Sequence, residues 1–403
     1  CHHQPIDAVF GIGQHRSLEA TIGSLLEERR RTNAGPLIAI DVPSGLCADS
    51  GRPLGGGTAC ATLTCCIGLF KQGLVQDSAL DWVGQVERIE LGLPAKLLSE
   101  LPHQQPLLLQ AGDAPRAPWP ALPKAASKYG RGRVLVVAGS DAYRGAAHLC
   151  LLGASASGCG SLRGALPQAV AEQIWQRLPH VVVSAALPSA ADGGLNLEAL
   201  PPSSLERVDA VVVGPGLGPG DGPPPPGDPA ATAWELLQTI PGLLVLDADG
   251  LNRLSTSRDP AGWLRKRGGP TWITPHCGEF TRLFPALADG PALEAAARAA
   301  ELCGCSVLLK GARSIVAATD GRRWQLGCAQ AEAARAGLGD VLAGYAAGRA
   351  AAAMATGAEA DASLLAAVAL EHALAGMQAV RCHGTGGASG LAVAEALRCN
   401  QFH

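Results

Sequence analysis

The residues best placed to do chemistry lie in one short span, Arg335-Ala336-Gly337-Leu338-Gly339-Asp340-Val341-Leu342-Ala343-Gly344. Two glycines flanking one residue let the backbone turn so that successive amide N–H groups converge. The apolar, alanine-rich run that follows reads as a helix, whose amino end carries partial positive charge. Converging amides at a helix start make an anion site, usually for phosphate. Asp340, in the first turn, stands where a base would take a proton from a group attacking that phosphate. Gly-x-Gly-Asp is also an ordinary turn followed by an acidic helix-start residue, so the span needs support from the rest of the chain.

That support comes from the elements that must hold the span. From Lys128 the sequence predicts a large α/β block with strands at Arg133 to Ala138, His180 to Ala185, Ala210 to Val213, Leu243 to Asp247, Trp272 to Thr274, Ser306 to Lys310 and Ser314 to Ala318. Helical stretches separate many of them, which implies crossovers and a largely parallel sheet. Ligands of open α/β sheets sit beyond the carboxyl ends of the strands. There the chain places Gly139-Ser140-Asp141-Ala142-Tyr143-Arg144-Gly145-Ala146-Ala147, Gly214-Pro215-Gly216-Leu217-Gly218, Asp247-Ala248-Asp249-Gly250-Leu251-Asn252, Thr274-Pro275-His276-Cys277-Gly278-Glu279 and Lys310-Gly311-Ala312-Arg313-Ser314. Each alone reads equally as a turn. His276 has the alternative of donating to a backbone carbonyl, Lys310 of snorkelling at a strand end, and Asp247 and Asp249 of capping a helix. Asp249 or Asn252 is expected to face a ligand.

A smaller block precedes this one. Apolar runs at residues 6–10, 37–41, 61–69 and 85–91 read as strands, with a helix from Leu18 to Arg31. Residues 94–123, rich in Pro, Leu and Gln, read as a linker. The chain has 403 residues, 47% of them hydrophobic and 17% charged, as in globular proteins with room for two cores. A net charge of −3 and 4% aromatic content give no general attraction to nucleic acid and no base-stacking platform. Leu364 to Val380 comes nearest to a membrane span but is interrupted by Glu371 and His372. Thirteen cysteines without a C-x-x-C pair read as reduced core thiols, and Cys1-His2-His3 as a frayed terminus rather than a metal site. A cytoplasmic homo-oligomer, with neither nucleic acid nor membrane as partner, is the expectation.

The ordered set of motifs in the larger block, Gly-Arg-Val-Leu-Val-Val-Ala-Gly-Ser, Gly-Pro-Gly-Leu-Gly, Asp-Ala-Asp-Gly-Leu-Asn, Thr-Pro-His-x-Gly-Glu, Leu-Lys-Gly-Ala and Gly-x-Gly-Asp-Val-Leu-Ala-Gly, resembles the NAD(P)H-hydrate dehydratases. The resemblance implies a ribokinase-like fold over residues 125–400. It implies removal of water from hydrated NADH or NADPH at the expense of ADP, with magnesium, giving AMP and phosphate. By the same resemblance Asp340 is the base, Ala146, Gly218, His276 and Asp340 contact the hydrated nucleotide, and Lys310, Gly311, Ala312, Arg313, Ser314 and Gly339 hold ADP or AMP. Gly337 and Leu338 belong to the phosphate loop.

The smaller block, residues 1–95, is similar to the second half of the companion epimerase, a Rossmann-like α/β domain. Asp7-Ala8-Val9-Phe10-Gly11-Ile12-Gly13, Asp41-Val42-Pro43-Ser44-Gly45-Leu46 and Phe70-Lys71-Gln72-Gly73-Leu74 carry that similarity. It implies Asp7 and Ser44 as potassium ligands, and Gly11, Ile12, Gly13, Gln14, His15, Arg16, Ser17 and Asp41 as contacts of the hydrated nucleotide. The family's Asn-Asn-Gly-Gly-Asp-Gly motif is absent before Asp7. The linker is then residues 96–124. Leu338 stands where the family has Ser or Thr, Arg335 where it has Thr, and Cys328 where it has Asn. Arg335 is expected to supply a replacement charge at the loop. A kinase of a small alcohol and a catalytically weak nucleotide-binding module are the competing readings.

Overall fold

The computed structural model describes residues 4–117, 119–121, 124–224, 232–328 and 331–399. They form two compact units, Cys1–Pro106 and Leu107–His403.

In the first unit β1 (Ile6–Asp7), β2 (Ile38–Ile40), β3 (Leu63–Ile67) and β4 (Gln85–Ile89) form a parallel sheet in chain order. The helix Ala20–Arg31 crosses from β1 to β2, and Arg29, Arg30 and Arg31 in its last turn complement its negative end. The core is small: Val42, Leu46, Cys66, Leu74, Ala79 and Val83.

The second unit is built on a ten-stranded sheet. Its strands are β5 (Leu107–Leu109), β6 (Arg133–Val137), β7 (Ser161–Pro167), β8 (Val182–Leu187), β9 (Ala210–Val213), β10 (Leu243–Leu246), β11 (Thr271–Ile273), β12 (Ser306–Leu309), β13 (Ile315–Ala317) and β14 (Arg323–Leu326). Their order is β5-β14-β13-β12-β11-β10-β9-β6-β7-β8, and β13 alone runs against its neighbours. β9 and β10 are buried along their whole length, as continuous apolar runs in a sheet covered on both faces must be. Alternate residues feed opposite layers: Val134 and Val136 pack with helices Arg144–Ala156, Leu338–Met354 and Ala362–Gly387, whereas Leu135 and Val137 pack with the layer holding Ala292–Cys303.

The sequence anticipates seven strands of this sheet and omits three. β7 carries an internal glycine and ends on Pro167, and β14 alternates polar with apolar residues, so neither shows the apolar run of its neighbours. β5 falls within the stretch read as linker; it pairs with β14 through Leu107, Leu108 and Leu109. Trp119, from the same stretch, donates through Nε1 to the buried Glu371 at 2.7 Å. This tail of the expected linker is thus part of the second unit. Helix Ala362–Gly387 is long and apolar enough to cross a membrane by length and composition, but 67% of its most apolar window is buried within the protein. The described cysteines are all free; Cys66, Cys150, Cys303 and Cys305 are buried, whereas Cys60, Cys277, Cys382 and Cys399 are exposed, so only part of the set is core.

Candidate active site

Gly337 caps the helix Leu338–Met354 with a φ of 89°, a left-handed conformation that glycine adopts without steric cost. No side chain caps the helix; the Leu338 N–H donates to the Arg335 carbonyl at 3.4 Å, and the amides that follow in the first turn have no intrahelical acceptor. The helix is seated by close backbone contact with Arg144–Ala156. A β-carbon on Gly344 would lie 1.9 Å from the Cys150 carbonyl oxygen, and one on Gly153 would lie 2.1 Å from that of Val341. Such approach leaves no room for a shift of the helix, and it holds the glycine loop at the sheet edge.

Charged side chains from three strand ends converge there. Asp247, following β10, is 1% exposed. Its Oδ1 accepts from Lys310 Nζ at 2.5 Å and from Thr274 Oγ1 at 2.9 Å. Lys310, following β12, also lies 3.9 Å from the buried Glu279. A β-carbon on Gly339 would stand 3.4 Å from Lys310 Nζ and 3.6 Å from Asp247 Oδ2, so both charges flank the amide loop. Burial, reinforced by the negative charge of Asp247 and opposed by Lys310, pushes the Asp340 carboxyl up to about 6. A base with that value is half ionised at about pH 6, mostly ionised at neutrality, and still basic enough to take a hydroxyl proton. Burial disfavours charge on Lys310, but Asp247 and Glu279 outweigh it and keep the ammonium protonated.

The other residues expected at this site fall around the same edge, with different commitments. Ala146 lies in the first turn of Arg144–Ala156. The Gly218 N–H donates to Asp249 Oδ2 at 2.8 Å, and Asp249 Oδ1 accepts from Asn252 Nδ2 at 3.2 Å. Asn252 Oδ1 in turn accepts from Arg282 at 2.8 Å. Asp249 and Asn252 thus take part in a hydrogen-bond chain from Gly218 to Arg282, and both remain partly exposed. His276 caps helix Cys277–Leu283: its Nδ1 accepts from the Gly278 and Glu279 amides. That fixes the proton on Nε2, which faces Glu279 Oε1 at 3.2 Å, while the ring remains 55% exposed. The turn Gly311-Ala312-Arg313-Ser314 is closed by Ser314 Oγ, which accepts from the Gly311 amide at 3.3 Å.

A cavity of about 360 Å³ opens between this turn and the glycine loop, its wall formed by Lys310, Gly311, Ala312, Ser314, Leu338 and Gly339 and by a largely apolar slot from Leu308, Leu326, Leu342, Ala369 and Ala373. His372 lines it too, held neutral by burial, which lowers it to about 4. The Arg335 guanidinium donates to the carbonyls of Thr385 and Gly386, so its hydrogen bonds go to backbone near the end of helix Ala362–Gly387. Asp247, Glu279 and His372 were not singled out as site residues from the sequence; the first two stood in motifs already recognised, whereas His372 sits in a helix with no motif of its own.

In the first unit the expected residues gather at the carboxyl ends of β1 and β2. Asp7, 4% exposed, accepts from the Ser44 hydroxyl at 2.6 Å and from the Ser44 amide at 2.7 Å. Asp41 has a left-handed φ of 71° and pairs with Lys71, a residue whose role the sequence did not single out. A β-carbon on Gly11 would lie 3.3 Å from Asp41 Oδ2. Gln14 bridges Gly11 and Gly45, donating to the carbonyl of one and accepting from the amide of the other. Ser17 donates to the Leu54 carbonyl, while Ile12, Gly13, His15 and Arg16 are exposed.

A family model described as NAD(P)H-hydrate dehydratase matches residues 134–397, and one described as YjeF-related protein N-terminus matches residues 3–73. The chain is 41% identical over 343 residues to the bifunctional NAD(P)H-hydrate repair enzyme of Gloeobacter violaceus, covering 84% of this chain and 64% of that protein. It is 37% identical to the enzyme of the same name from Synechocystis, covering 84% and 62%. The chain thus spans somewhat less than two thirds of the length of these relatives. Among solved structures, the ADP/ATP-dependent NAD(P)H-hydrate dehydratase from Bacillus subtilis, co-crystallised with ATP and Mg2+, superposes with a TM-score of 0.59 at 24% identity, over 74% of this chain and 99% of that one. A ribokinase-like superfamily protein from Enterococcus faecalis superposes with a TM-score of 0.57 at 21% identity, over 74% of this chain and 96% of that one. With a ribokinase-like second unit and a family match over most of its length, the chain belongs to the NAD(P)H-hydrate dehydratase family.

Proposed function

We propose that the second unit returns the S epimer of hydrated NADH or NADPH to the reduced nucleotide, using ADP and releasing AMP and phosphate. The observation that carries this reading is Asp340, a half-buried carboxyl raised to about 6 at the mouth of an uncapped helix start. The hydroxyl of the hydrate is a poor leaving group. Its oxygen bonds to the β-phosphorus of ADP, its proton passes to Asp340, and the bridging P–O bond breaks with its electron pair leaving on AMP. Loss of the new phosphate ester and of a proton from the adjacent ring carbon restores the double bond. The amides of Gly337, Leu338 and Gly339 would face the transferring phosphoryl group, and the apolar slot of the 360 Å³ cavity has the size and lining of a base-binding pocket. A helix terminus is worth only ~0.3–2 kcal/mol, so Lys310 is needed to offset the charge that develops.

Magnesium does not have a protein cage here. Among the described residues no three His, Cys, Asp or Glu side chains cluster as a metal site. Magnesium would arrive on the nucleotide phosphates, which it binds with few protein ligands. Asp7 and Ser44 would offer oxygen donors to a potassium ion, and the Ser44 hydroxyl and amide already hold the Asp7 carboxylate in place.

The test is to mix the full chain with the S hydrate of NADH, magnesium and ADP and to follow the return of reduced-nicotinamide absorbance. Recovery that requires ADP and disappears in Asp340→Asn supports the reading. A phosphorylated hydrate accumulating without NADH would mean a kinase, and ADP binding without any turnover would mean a binding module.

A further inference from the structure

Asp247 follows β10 and precedes the helix Ala248–Ser255, where it would be expected to cap that helix. It does not: no side-chain hydrogen bond joins it to the helix, whose first residue, Ala248, holds a left-handed φ of 46°. Its Oδ1 is given to Lys310 and Thr274, and its Oδ2 is directed toward Gly339. A buried ammonium is stable only beside a compensating anion. Lys310 has Asp247 at 2.5 Å and Glu279 at 3.9 Å, and its Nζ stands where a nucleotide phosphate held by the loop amides would need a positive charge.

We propose that Asp247 is a positioning residue for phosphoryl transfer, holding the Lys310 ammonium beside the Gly337–Gly339 amides and setting its own negative charge against the base Asp340. The inference rests on the dehydratase reading above. A lysine on a flexible stem would otherwise have to be ordered during the reaction; here the cation is fixed before the nucleotide arrives, and preorganised charge is what phosphoryl transfer demands. The charged groups facing Asp340 are Asp247, Asp249 and Lys310. Cys150 on helix Arg144–Ala156 and His372 on helix Ala362–Gly387 face the same cluster in their neutral forms, since burial pushes the thiol up and the imidazole down to about 4. Asp247 raises the Asp340 value, so removing its charge must move the acidic limb of the rate profile to lower pH.

Asp247→Asn keeps the shape and the acceptor for Thr274 but removes the charge. Full chain carrying this change, assayed with the S hydrate of NADH across pH about 5–9, should show an acidic limb of kcat displaced to lower pH. The plateau kcat should fall about 10²-fold, the scale for loss of one preorganised charge or donor, and KM for ADP should rise. Lys310→Met should lose a similar factor, and the double variant little more than either single one, because the two act as a unit. A limb that stays at the wild-type pH, or losses that multiply in the double variant, overturns the proposal. Should Asp247→Asn fail to fold, 15N–1H NMR of the wild-type Lys310 ammonium decides: slow exchange with water supports the anchored pair, and exchange as fast as that of surface lysines sinks it. Absence of wild-type turnover would defeat the dehydratase reading instead, and the NMR result would still report on the pair.

Discussion

Asp340 combines a cost to the fold with a use in chemistry. Its carboxyl is raised from 3.8 to about 6 because burial and Asp247 disfavour its charged form. As a base it must be ionised, so kcat should fall about tenfold per pH unit below about 6 and level off above it, as a pH–rate profile would show. The stability effect has the opposite sense. Between about 4 and 6 the folded protein binds more protons at this position than the unfolded chain, so the contribution of Asp340 to stability declines as pH rises through that window. Above it, the half-buried charge costs up to about 3 kcal/mol, because each pH unit of that window is worth about 1.4 kcal/mol. Asp340→Asn should therefore abolish turnover by at least ~10²-fold and yet melt at a higher temperature than wild type at pH 8. A variant that is inactive and also less stable at that pH would show that the carboxylate is held by contacts not accounted for by burial. The residue types of this cluster were legible in the motifs. The partnership of Asp247 with Lys310, across 63 positions of chain, was not, because nothing local to either residue encodes it.

At the scale of elements, the site depends on how closely helices Arg144–Ala156 and Leu338–Met354 pack. Gly153→Ala would place a methyl 2.1 Å from the Val341 carbonyl oxygen, on backbone that cannot step aside without moving the first turn that carries Asp340. Over-packing of this kind costs ~1–3 kcal/mol, and chemical denaturation should report it together with a drop in activity. Gly112→Ala, with open space around the added methyl, should stay within about 0.5 kcal/mol of wild type. Arg335 belongs to this scale as well: it binds the carbonyls of Thr385 and Gly386 near the end of helix Ala362–Gly387. Arg335→Ala should leave ADP-dependent turnover within about twofold, at a stability cost near 1 kcal/mol, roughly the usual worth of such hydrogen bonds. A large loss of kcat would restore the idea that this residue acts on phosphate. The sequence showed the helices through their apolar runs, but glycine in a run of alanines looks the same whether or not another backbone lies against it.

For the whole molecule, the second unit begins at Leu107, so a chain cut there and one cut at residue 125 should behave differently. The shorter piece loses the edge strand β5 and the Trp119 side chain, whose indole N–H satisfies Glu371 and whose ring lies 3.8 Å from the Arg349 guanidinium. Leaving that buried carboxylate short of a donor costs ~1–3 kcal/mol, and the exposed strand β14 adds to it. Residues 107–403 should fold and keep ADP-dependent turnover, while 125–403 should melt several degrees lower; equal melting temperatures would show that the segment 107–124 adds nothing. The chain by itself determined the α/β class, the alternation of elements, the order of the glycine and acidic motifs, and Asp340 as the candidate base, because each of these is written in local runs and spacings. Tertiary structure alone decided the edge strand and Trp119, whose segment has no periodicity until a neighbour pairs with it. It also decided that Asp249 and Asn252 link Gly218 to Arg282 while Asp247 anchors Lys310, because hydrogen-bond partners and burial are set by residues distant in sequence that meet only when the sheet assembles.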